Sequence, residues 1–312
     1  RPDAGFTPSR RTVLAAALAG LGAVVAGCTA PSVPGPTAPT APTASRRAQD
    51  QLAGLERGFR GRIGLHAIDT ATGATVSHRG DERFLMCSTE KVFASSAVLH
   101  LRLTRPGLLD QRIRFDRATL VSYSPVTSAH LTDGLTVAEL CGAALTRSDN
   151  TAMNLLLGVT GGPSKVTDYL RGLGDPGTRL DRTEPELNVT TPGDVRDTST
   201  PGQVAHDLNQ LLLGSWLDPE GRALLTGWMV ANQTGNDQIR AGVPAGSRVA
   251  DKTGSGAQGE CNDIGVIWPP GRAPLVVAVY TAPTDPSSPA RTGHAAIASA
   301  TRVALDALTD GA

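Results

Sequence analysis

A serine hydroxyl and a lysine amine stand three residues apart in the stretch Met86–Val92 (Met-Cys-Ser-Thr-Glu-Lys-Val). The stretch opens a run with helical character, and residues three apart on a helix lie on the same face. At a helix N-terminus, the Ser88 oxygen would meet free backbone N–H groups and the positive end of the helix dipole. A serine beside an amine that can lose its proton is a candidate nucleophile. Ser88 and Lys91 therefore predict nucleophilic catalysis, although Ser-x-x-Lys alone occurs by chance in many helices.

The scarcity of lysine adds weight to this pair. Of 29 basic residues only three are lysines, at positions 91, 165 and 252. Arginine stays protonated at any working pH, whereas a lysine in a suitable environment can act as a base. A lysine in an arginine-rich chain thus indicates a site where arginine would fail. The alternative is that genomic base composition favours arginine and that the three lysines survive by accident.

Three further polar stretches could contribute to the same site. Ser148–Asn150 (Ser-Asp-Asn) lies between two helical patterns, where a simple helix cap is the alternative interpretation. Lys252–Gly256 (Lys-Thr-Gly-Ser-Gly) lies on a predicted strand, and its glycines permit close approach of a ligand or of another backbone. Glu184–Asn188 (Glu-Pro-Glu-Leu-Asn) lies in the irregular segment 178–201, and loops of this length in compact domains are usually functional or disordered.

In this order and at these separations, the four stretches resemble the class A serine β-lactamases. The resemblance runs from Arg46 to the C-terminus. It includes Tyr123–Pro125 (Tyr-Ser-Pro), and Arg182 with Asp197 at the base of the loop that carries Glu184. It implies hydrolysis of the β-lactam amide bond through a serine acyl-enzyme, a reaction that confers antibiotic resistance and requires no metal or cofactor.

The resemblance also implies a role for each matching residue. Ser88 would attack the β-lactam carbonyl, and the backbone N–H groups of Ser88 and Ser255 would form the oxyanion hole. Ser148 would relay a proton to the departing ring nitrogen. Lys252 would supply positive charge near that hydroxyl and near the substrate carboxylate.

Other matching residues are assigned to substrate binding by the same resemblance. Thr253 would hydrogen-bond the substrate carboxylate, and Gly254 would line the same strand edge. Asn150 would hold the side-chain amide of the substrate and help to orient Lys91. Tyr123 would form a wall of the cleft.

Glu184 is expected to decide the fate of the acyl group. A carboxylate that holds a water molecule near the acyl carbonyl can deprotonate that water, and Asn188 would help to hold it. Whether Lys91 or Glu184 takes the Ser88 proton during acylation stays open. The neighbouring Glu186 is interpreted as a solvated or structural carboxylate.

Two positions depart from the family pattern. Glu90 stands where many relatives carry an aromatic residue; helical geometry directs it away from the Ser88–Lys91 face, so an effect on packing is expected. Cys261 stands where some relatives place an arginine for the substrate carboxylate, and Arg291 at the start of the last helix is the proposed replacement.

The cysteines and histidines give no sign of a metal site. The four cysteines form no CxxC pair and the six histidines show no HExxH spacing, so zinc has no visible ligand set. Cys87 is expected to be a buried small hydrophobe. Spacing leaves open whether Cys87, Cys141 or Cys261 forms a disulfide.

Two other function classes stay open. A penicillin-binding D,D-peptidase of cell-wall metabolism shares the Ser-x-x-Lys, Ser-x-Asn and Lys-Thr-Gly elements, but it lacks a deacylating carboxylate such as Glu184. A non-enzymatic protein, either a β-lactam sensor that stays acylated or a structural lipoprotein, is the third possibility. A sensor would normally need a signalling or transmembrane segment, and none is visible after Cys28.

The overall composition limits the classes of molecule that the protein could bind. The net charge is zero and no arginine run is interleaved with aromatics, which argues against nucleic acid. The expected partners are penicillins, and a hydroxyl at Ser255 suggests cephalosporins as a second class. The protein is expected to be a monomer.

The N-terminus is typical of an export signal. Arg10 and Arg11 precede an uncharged apolar run, residues 13–26, which is too short to span a bilayer, and the arginine pair resembles a bacterial Tat signal. The run ends Val-Ala-Gly-Cys at Cys28, which resembles a lipoprotein lipobox; an ordinary secretory signal cleaved nearby is the alternative.

These features predict residues 1–27 as a signal peptide and residues 28–45 as a Pro/Thr/Ala-rich tether. Lipidated Cys28 would be the only membrane contact. The protein would be exported and anchored on the outer face of the cell membrane, with extracellular release as a second fate.

The remaining sequence must position the site. A helical face around Leu52, Leu55 and Phe59 is followed by two strand-like runs, 62–68 and 74–78, with a glycine-containing turn between them. Helical patterns fill the middle of the chain. Strand character returns in three runs, and an amphipathic helix ends the chain; the runs are 248–252, 262–268 and 275–281, and the helix is about 290–307.

Hairpin connections imply an antiparallel sheet. The sequence thus predicts an α/β fold, with a catalytic domain over residues 46–312. A five-stranded antiparallel sheet, flanked by the N- and C-terminal helices, would come from residues 46–79 and 231–312. An all-α lobe, residues 80–230, would be inserted between the strands. The site is expected in a cleft between the two lobes.

Overall fold

The computed structural model describes residues 43–309, which belong to one compact unit. Its strands are β1 Gly61–Asp69, β2 Thr75–His78, β3 Phe84–Leu85, β4 Arg112–Ile113, β5 Leu135–Thr136, β6 Thr198–Ser199, β7 Arg248–Ser255, β8 Cys261–Trp268 and β9 Leu275–Pro283. Its helices are α1 Thr43–Phe59, α2 Lys91–Leu101, α3 Val137–Thr146, α4 Asn150–Thr160, α5 Pro163–Leu173, α6 Pro201–Leu208, α7 Pro219–Val230 and α8 Ala290–Thr309. The predicted signal peptide and Cys28 lie outside the described residues, and α1 begins slightly before the predicted end of the tether.

The large sheet is antiparallel throughout, in the order β2-β1-β9-β8-β7. Leu65 of β1 pairs with Val279 of β9, which in turn pairs with Asp263 of β8. Strands from the two ends of the chain therefore share one sheet, as the sequence predicted. This finding confirms the predicted α/β fold class.

Both faces of the sheet are covered, which explains why its central strands read as nearly continuous apolar runs. Val277 and Val279 belong to the core beneath α1 and α8, together with Leu52. The alternate residues Ala278 and Tyr280 belong to the core on the opposite face, against the helical segment. This alternation is the period of two that side chains have along a strand.

The segment between β2 and β7 is mainly helical, but it contains two short antiparallel strand pairs. The pair β4–β5 precedes α3. The pair β3–β6 matters more for the site, because Phe84 pairs with Ser199 and Leu85 with Thr198. This pairing fixes the chain just before Ser88 against the end of the irregular segment that carries Glu184.

Two helices, α6 and α7, begin with a polar residue followed by proline. The Thr200 side chain accepts a hydrogen bond from the Gln203 backbone N–H at 3.2 Å, and Asp218 caps α7 in the same way. The α-helix α6 ends at Leu208, and the chain continues as a π-helical turn, Asn209–Leu213. No helix within residues 43–309 has the length and apolarity needed to cross a membrane.

Candidate active site

Ser88 lies in a 3₁₀ turn, Cys87–Glu90, that leads directly into α2. The turn places the Lys91 ammonium above the serine hydroxyl, and Lys91 Nζ donates a hydrogen bond to Ser88 Oγ at 2.6 Å. Ser88 keeps 8% of its surface exposed, whereas Lys91 is fully buried. The nucleophile candidate is thus reachable from solvent, and its amine partner is not.

Lys91 joins Ser88 to two polar groups that come from distant parts of the chain. Besides Ser88, its ammonium donates to Asn150 Oδ1 at 2.9 Å and to Glu184 Oε1. The same Glu184 oxygen accepts a hydrogen bond from Ser88 Oγ at 3.3 Å. A proton leaving Ser88 therefore has two possible acceptors within reach, the glutamate and, once it has lost a proton, the lysine.

The loop that carries Glu184 is held rigidly behind the site. Asn154 of α4 clamps the Glu184 backbone, since its Oδ1 accepts from Glu184 N–H at 2.9 Å and its Nδ2 donates to Glu184 O at 2.8 Å. Asn188 donates to Glu184 Oε2. At the base of the loop, Arg182 Nε donates to Asp197 Oδ2 at 2.5 Å.

Ser148–Asn150 serves as a helix cap and as part of the site at once. Asp149 is the N-cap of α4, and it also accepts hydrogen bonds from the backbone N–H groups of Val126 and Thr127 at 2.8 and 2.9 Å. Ser148 adopts a left-handed backbone conformation with φ 56°. The cap therefore holds Ser148 and Asn150 in place on either side of Asp149, at the cavity.

Lys252 is the second fully buried lysine. Its Nζ donates to Ser148 Oγ at 3.0 Å and to the Thr253 carbonyl at 2.7 Å. Burial, together with the nearby positive charge of Lys91, lowers the pKa of Lys252 to about 7. Ser148 is thus in contact with a group that can gain or lose a proton near neutrality.

The strand β7 is an edge strand of the large sheet, so one side of its backbone is free to face the cavity. It extends to Ser255, beyond the predicted end at Lys252. Gly254 allows the close approach of β7 to the nucleophile turn, because a Cβ atom there would lie 2.8 Å from the Met86 carbonyl oxygen. Ser255 is thereby brought beside the turn of Ser88.

These elements enclose a cavity of about 330 Å³. Eight residues assigned to the site from the sequence line it: Ser88, Tyr123, Ser148, Asn150, Asn188, Thr253, Gly254 and Ser255. Lys91, Glu184 and Lys252 lie directly beneath this lining, through the contacts given above. Tyr123 stands at the mouth with 60% of its surface exposed.

Three lining residues were not identified from the sequence, namely Thr234, Gln238 and His294. Thr234 shares a hydrogen bond of 2.6 Å with the Thr253 hydroxyl. The structure does not bring Arg291 to the cavity: its side chain is exposed, in the first turn of α8, and His294 one turn further along lines the cavity instead.

Three of the cysteines and Glu90 are buried in the structure. Cys87, Cys141 and Cys261 are buried free thiols, so none of these three forms a disulfide. Glu90 is fully buried, and neither of its carboxyl oxygens has a hydrogen-bond partner among the described residues. Burial and the negative charges of Glu184 and Asp197 raise the pKa of Glu90 well above its usual value. Within residues 43–309, no group of His, Cys, Asp or Glu side chains could hold a metal ion.

The chain is similar to known β-lactamases over most of its length. The model of the β-lactamase enzyme family matches residues 47–308. A β-lactamase of Amycolatopsis lactamdurans is 49% identical over 260 residues, covering 83% of this chain and 85% of that protein. The β-lactamase AST-1 of Nocardia asteroides is 47% identical over 299 residues, covering 96% of both. The chain belongs to the class A β-lactamase family.

Solved structures of class A β-lactamases agree with this assignment. The enzyme of Mycobacterium abscessus has 54% sequence identity and a TM-score of 0.82, over 85% of this chain and 100% of that one. A β-lactamase of Streptosporangium roseum, at 44% identity, also gives a TM-score of 0.82. The class A fold is therefore present over the whole described catalytic unit.

Proposed function

We propose that this protein is a β-lactamase, which hydrolyses the amide bond of β-lactam antibiotics through an acyl-enzyme on Ser88 and so confers resistance to them. The observation that carries this proposal is the single hydrogen-bonded cluster of Ser88 Oγ, Lys91 Nζ and Glu184 Oε1. It places a nucleophile beside a base that can activate it and beside a carboxylate that can later activate water.

In the acylation step, Ser88 Oγ forms a bond to the β-lactam carbonyl carbon, and the ring carbon–nitrogen bond breaks. The Ser88 proton passes to Glu184 directly, or to Lys91 once that lysine has given a proton of its own to Glu184. The backbone N–H groups of Ser88 and Ser255 would stabilise the oxyanion, each such donor being worth about 3–4 kcal/mol of barrier. The ring nitrogen receives a proton from Ser148, and Ser148 regains one from Lys252, which contacts its hydroxyl at 3.0 Å. Proton exchange with solvent then restores Lys252 and Glu184.

In the deacylation step, Glu184 would take a proton from a water molecule that attacks the acyl carbon. The ester bond to Ser88 would then break, and the Ser88 oxygen would receive a proton from Glu184, which it contacts. Support comes from the fixed geometry of this carboxylate: Asn154 clamps its backbone and Asn188 contacts its second oxygen. A general base in position typically contributes about 10²–10⁴-fold to such a step.

The D,D-peptidase alternative is not favoured. It would leave Glu184 without a function, although this carboxylate is held against the nucleophile by Lys91 and Asn188. The relatives at about half identity over most of the chain are named β-lactamases.

Intact-protein mass spectrometry after brief exposure to a penicillin tests this function. Wild type should turn the penicillin over many times and return to its free mass. Glu184→Ala should instead stall with the added mass on Ser88. Normal turnover by Glu184→Ala would refute the mechanism, and rapid stalling of the wild type would favour a peptidase or a sensor.

The substrate range is expected to include penicillins, with cephalosporins as a second class because of the hydroxyl at Ser255. Ser255 is exposed at the cavity-facing end of β7. Steady-state kinetics on one penicillin, one cephalosporin and one carbapenem, for wild type and Ser255→Ala, measure this range. Loss of cephalosporin hydrolysis alone in the variant supports the role of the hydroxyl, and equal rates argue against it.

We further propose that the enzyme is an exported monomer, lipid-anchored at Cys28, with extracellular release as a second fate. Arg10 and Arg11, the apolar run 13–26 and the Pro-rich segment that follows support this proposal. Wild type should partition with membranes, whereas Cys28→Ser should be soluble. A Cys28→Ser protein that remained bound to membranes would argue against lipidation.

A further inference from the structure

A row of three residues crosses the face of the large sheet beneath the nucleophile turn, residues 86–89. Asn262 of β8 pairs with Gly254 of β7 on one side and with Tyr280 of β9 on the other. Residues paired in this way point to the same face of a sheet. The turn rests on that face, because a Cβ atom on Gly254 would lie 2.8 Å from one of its carbonyl oxygens and the Tyr280 hydroxyl lies 3.3 Å from Thr89 Oγ1.

Asn262 is the member of this row whose side chain binds the backbone that leads to the nucleophile. It is fully buried. Its Nδ2 donates to the Leu85 carbonyl at 2.8 Å and to the Met86 carbonyl at 3.1 Å. Its Oδ1 accepts from the Thr281 N–H at 3.4 Å. An amide nitrogen has two hydrogens, so both are used on the two peptide groups that lead into Cys87.

Cys87 has a strained backbone conformation. Its φ is 50°, in the left-handed region that residues other than glycine seldom adopt. Such a conformation costs free energy and persists only where the surrounding structure fixes it. Besides Asn262, the Met86 carbonyl has Thr89 as a partner, whose Oγ1 donates at 2.8 Å and whose N–H donates at 3.3 Å. The peptide plane before Cys87 is therefore held at its oxygen.

The strained residue connects this fixed plane to a group that takes part in the chemistry. The Ser88 N–H belongs to the next peptide plane, and the two planes differ only by the φ and ψ of Cys87. The orientation of the first plane thus sets the direction of the Ser88 N–H, which is an oxyanion-hole donor in the proposed mechanism. Such a donor is effective when it is aimed in advance at the position of the oxyanion.

We propose that Asn262 is a positioning residue of the oxyanion hole. By binding the Leu85 and Met86 carbonyls, it keeps Cys87 in its strained conformation and so directs the Ser88 N–H at the β-lactam carbonyl oxygen. This proposal rests on the proposed β-lactamase function. Asn262 is buried beneath the cavity and does not line it, so it acts through the backbone and not on the substrate.

Infrared difference spectroscopy of the acyl-enzyme tests this role. The Glu184→Ala background should trap the acyl-enzyme formed with benzylpenicillin, and hydrogen bonds in the oxyanion hole lower the stretching frequency of its ester carbonyl. Adding Asn262→Ala should shift this band to higher frequency. It should also slow acylation about tenfold, less than the roughly 10²–10³-fold that loss of a whole donor costs.

Asn262→Asp, in the same background, covers the case in which the alanine variant does not fold. It has nearly the same size and keeps an oxygen that can accept from the Thr281 N–H. It has at most one proton to donate where the amide has two, so it should shift the band in the same direction. An unshifted band in either variant would overturn the proposal.

Thr281→Val provides the matched control. Thr281 is almost completely buried, and its Oγ1 donates to the Cys261 carbonyl at 2.6 Å, so the change removes a buried hydrogen bond from the same sheet. It should lower the melting temperature but leave the band and the acylation rate unchanged. A band that shifted as far as in Asn262→Ala would indicate a merely structural effect and overturn the assignment. Failure of the wild type to hydrolyse penicillin would instead refute the proposed function.

Discussion

Two buried carboxyl groups lie near the Ser88–Lys91 pair, and their surroundings differ sharply. Glu184 accepts hydrogen bonds from Ser88, Lys91 and Asn188 through its two oxygens. Glu90, adjacent to Lys91 in the chain, is equally buried, yet neither of its oxygens has a partner among the described residues. One carboxyl group is thus integrated into a polar cluster, and the other is only enclosed.

The difference shows what converts a buried acid into a usable base. An unpaired polar group that is buried costs about 1–3 kcal/mol, and more when it is charged. Glu184 avoids this cost because three donors surround it, so it can accept a proton where the chemistry occurs. Glu90 avoids the larger cost, that of a buried unpaired charge, by staying protonated, as its raised pKa indicates. We therefore expect substitutions around Glu184 to act on activity and substitutions of Glu90 to act on stability.

The largest effect is expected from Lys91→Met, which removes the ammonium that Ser88, Asn150 and Glu184 share. The activity on a penicillin should fall by about 10²–10⁴-fold. Stability should also fall by about 3–5 kcal/mol, because Glu184 would remain buried without its cation. Penicillin hydrolysis and thermal denaturation measure the two losses.

The third lysine of the chain provides the control. Lys165 is exposed, and within residues 43–309 its ammonium pairs with Asp168 alone, at 2.8 Å. Lys165→Met should therefore change neither activity nor stability appreciably, since exposed ion pairs contribute little. A Lys91→Met enzyme that retained more than a tenth of wild-type activity would mean that Glu184 and Ser88 work without the lysine.

A smaller effect is expected from Asn154→Ala, which removes two hydrogen bonds to the Glu184 backbone. Each neutral hydrogen bond contributes about 0.5–1.5 kcal/mol, so deacylation should slow by roughly tenfold or more. Acylation should be less affected, and acyl-enzyme should therefore accumulate during turnover. Pre-steady-state mass spectrometry measures the acylated fraction.

Asn154→Asp refines this prediction. The aspartate can still accept from the Glu184 N–H group but cannot donate to the Glu184 carbonyl, so an intermediate deacylation rate is expected. If Asn154→Ala slowed acylation and deacylation equally, the residue would support the whole site and not the deacylating loop in particular.

The contrast between local and long-range information also explains what the sequence could predict. Ser88, Lys91 and Ser148–Asn150 lie in short motifs, and the strand periodicity predicts the shared sheet. Asn154 had a usable signal, because it lies four residues after Asn150, on the same face of α4. His294 had none, since its place depends on how Gly293 of α8 packs against β8.

For Glu90, the sequence predicted a residue outside the catalytic cluster but did not predict its environment. Helical geometry correctly separated it from the face that Ser88 and Lys91 share. It could not reveal that Glu184 and Asp197, each about a hundred positions away along the chain, would come near enough to raise the pKa of this side chain.

The smallest effect on activity, and a distinct effect on stability, is expected from Glu90→Gln. At pH 7 its activity should lie within about threefold of wild type, because the amide imitates the protonated acid in size and in polarity. Burial and the nearby negative charges raise the folded-state pKa of Glu90 well above its ordinary value of 4.5. The protonated form of Glu90 is favoured by folding, so its contribution to the free energy of unfolding is fully present below about pH 4.5. This contribution is lost as the pH rises towards the folded-state pKa.

Glu90→Gln should therefore gain stability over wild type as the pH rises above about 5. The gain should be about 1.4 kcal/mol for each pH unit over which Glu90 is ionised in the unfolded chain and protonated in the folded protein. Asp207 has a pKa of about 9, raised mainly by burial and by Asp175, and it adds a slope of the same sign. That slope is common to both proteins, so their difference in unfolding free energy isolates Glu90. The exposed Glu186, changed to Gln, should show no such trend. A difference that stayed constant with pH would mean that Glu90 is ionised in the folded enzyme, and the distinction between the two carboxyl groups would then fail.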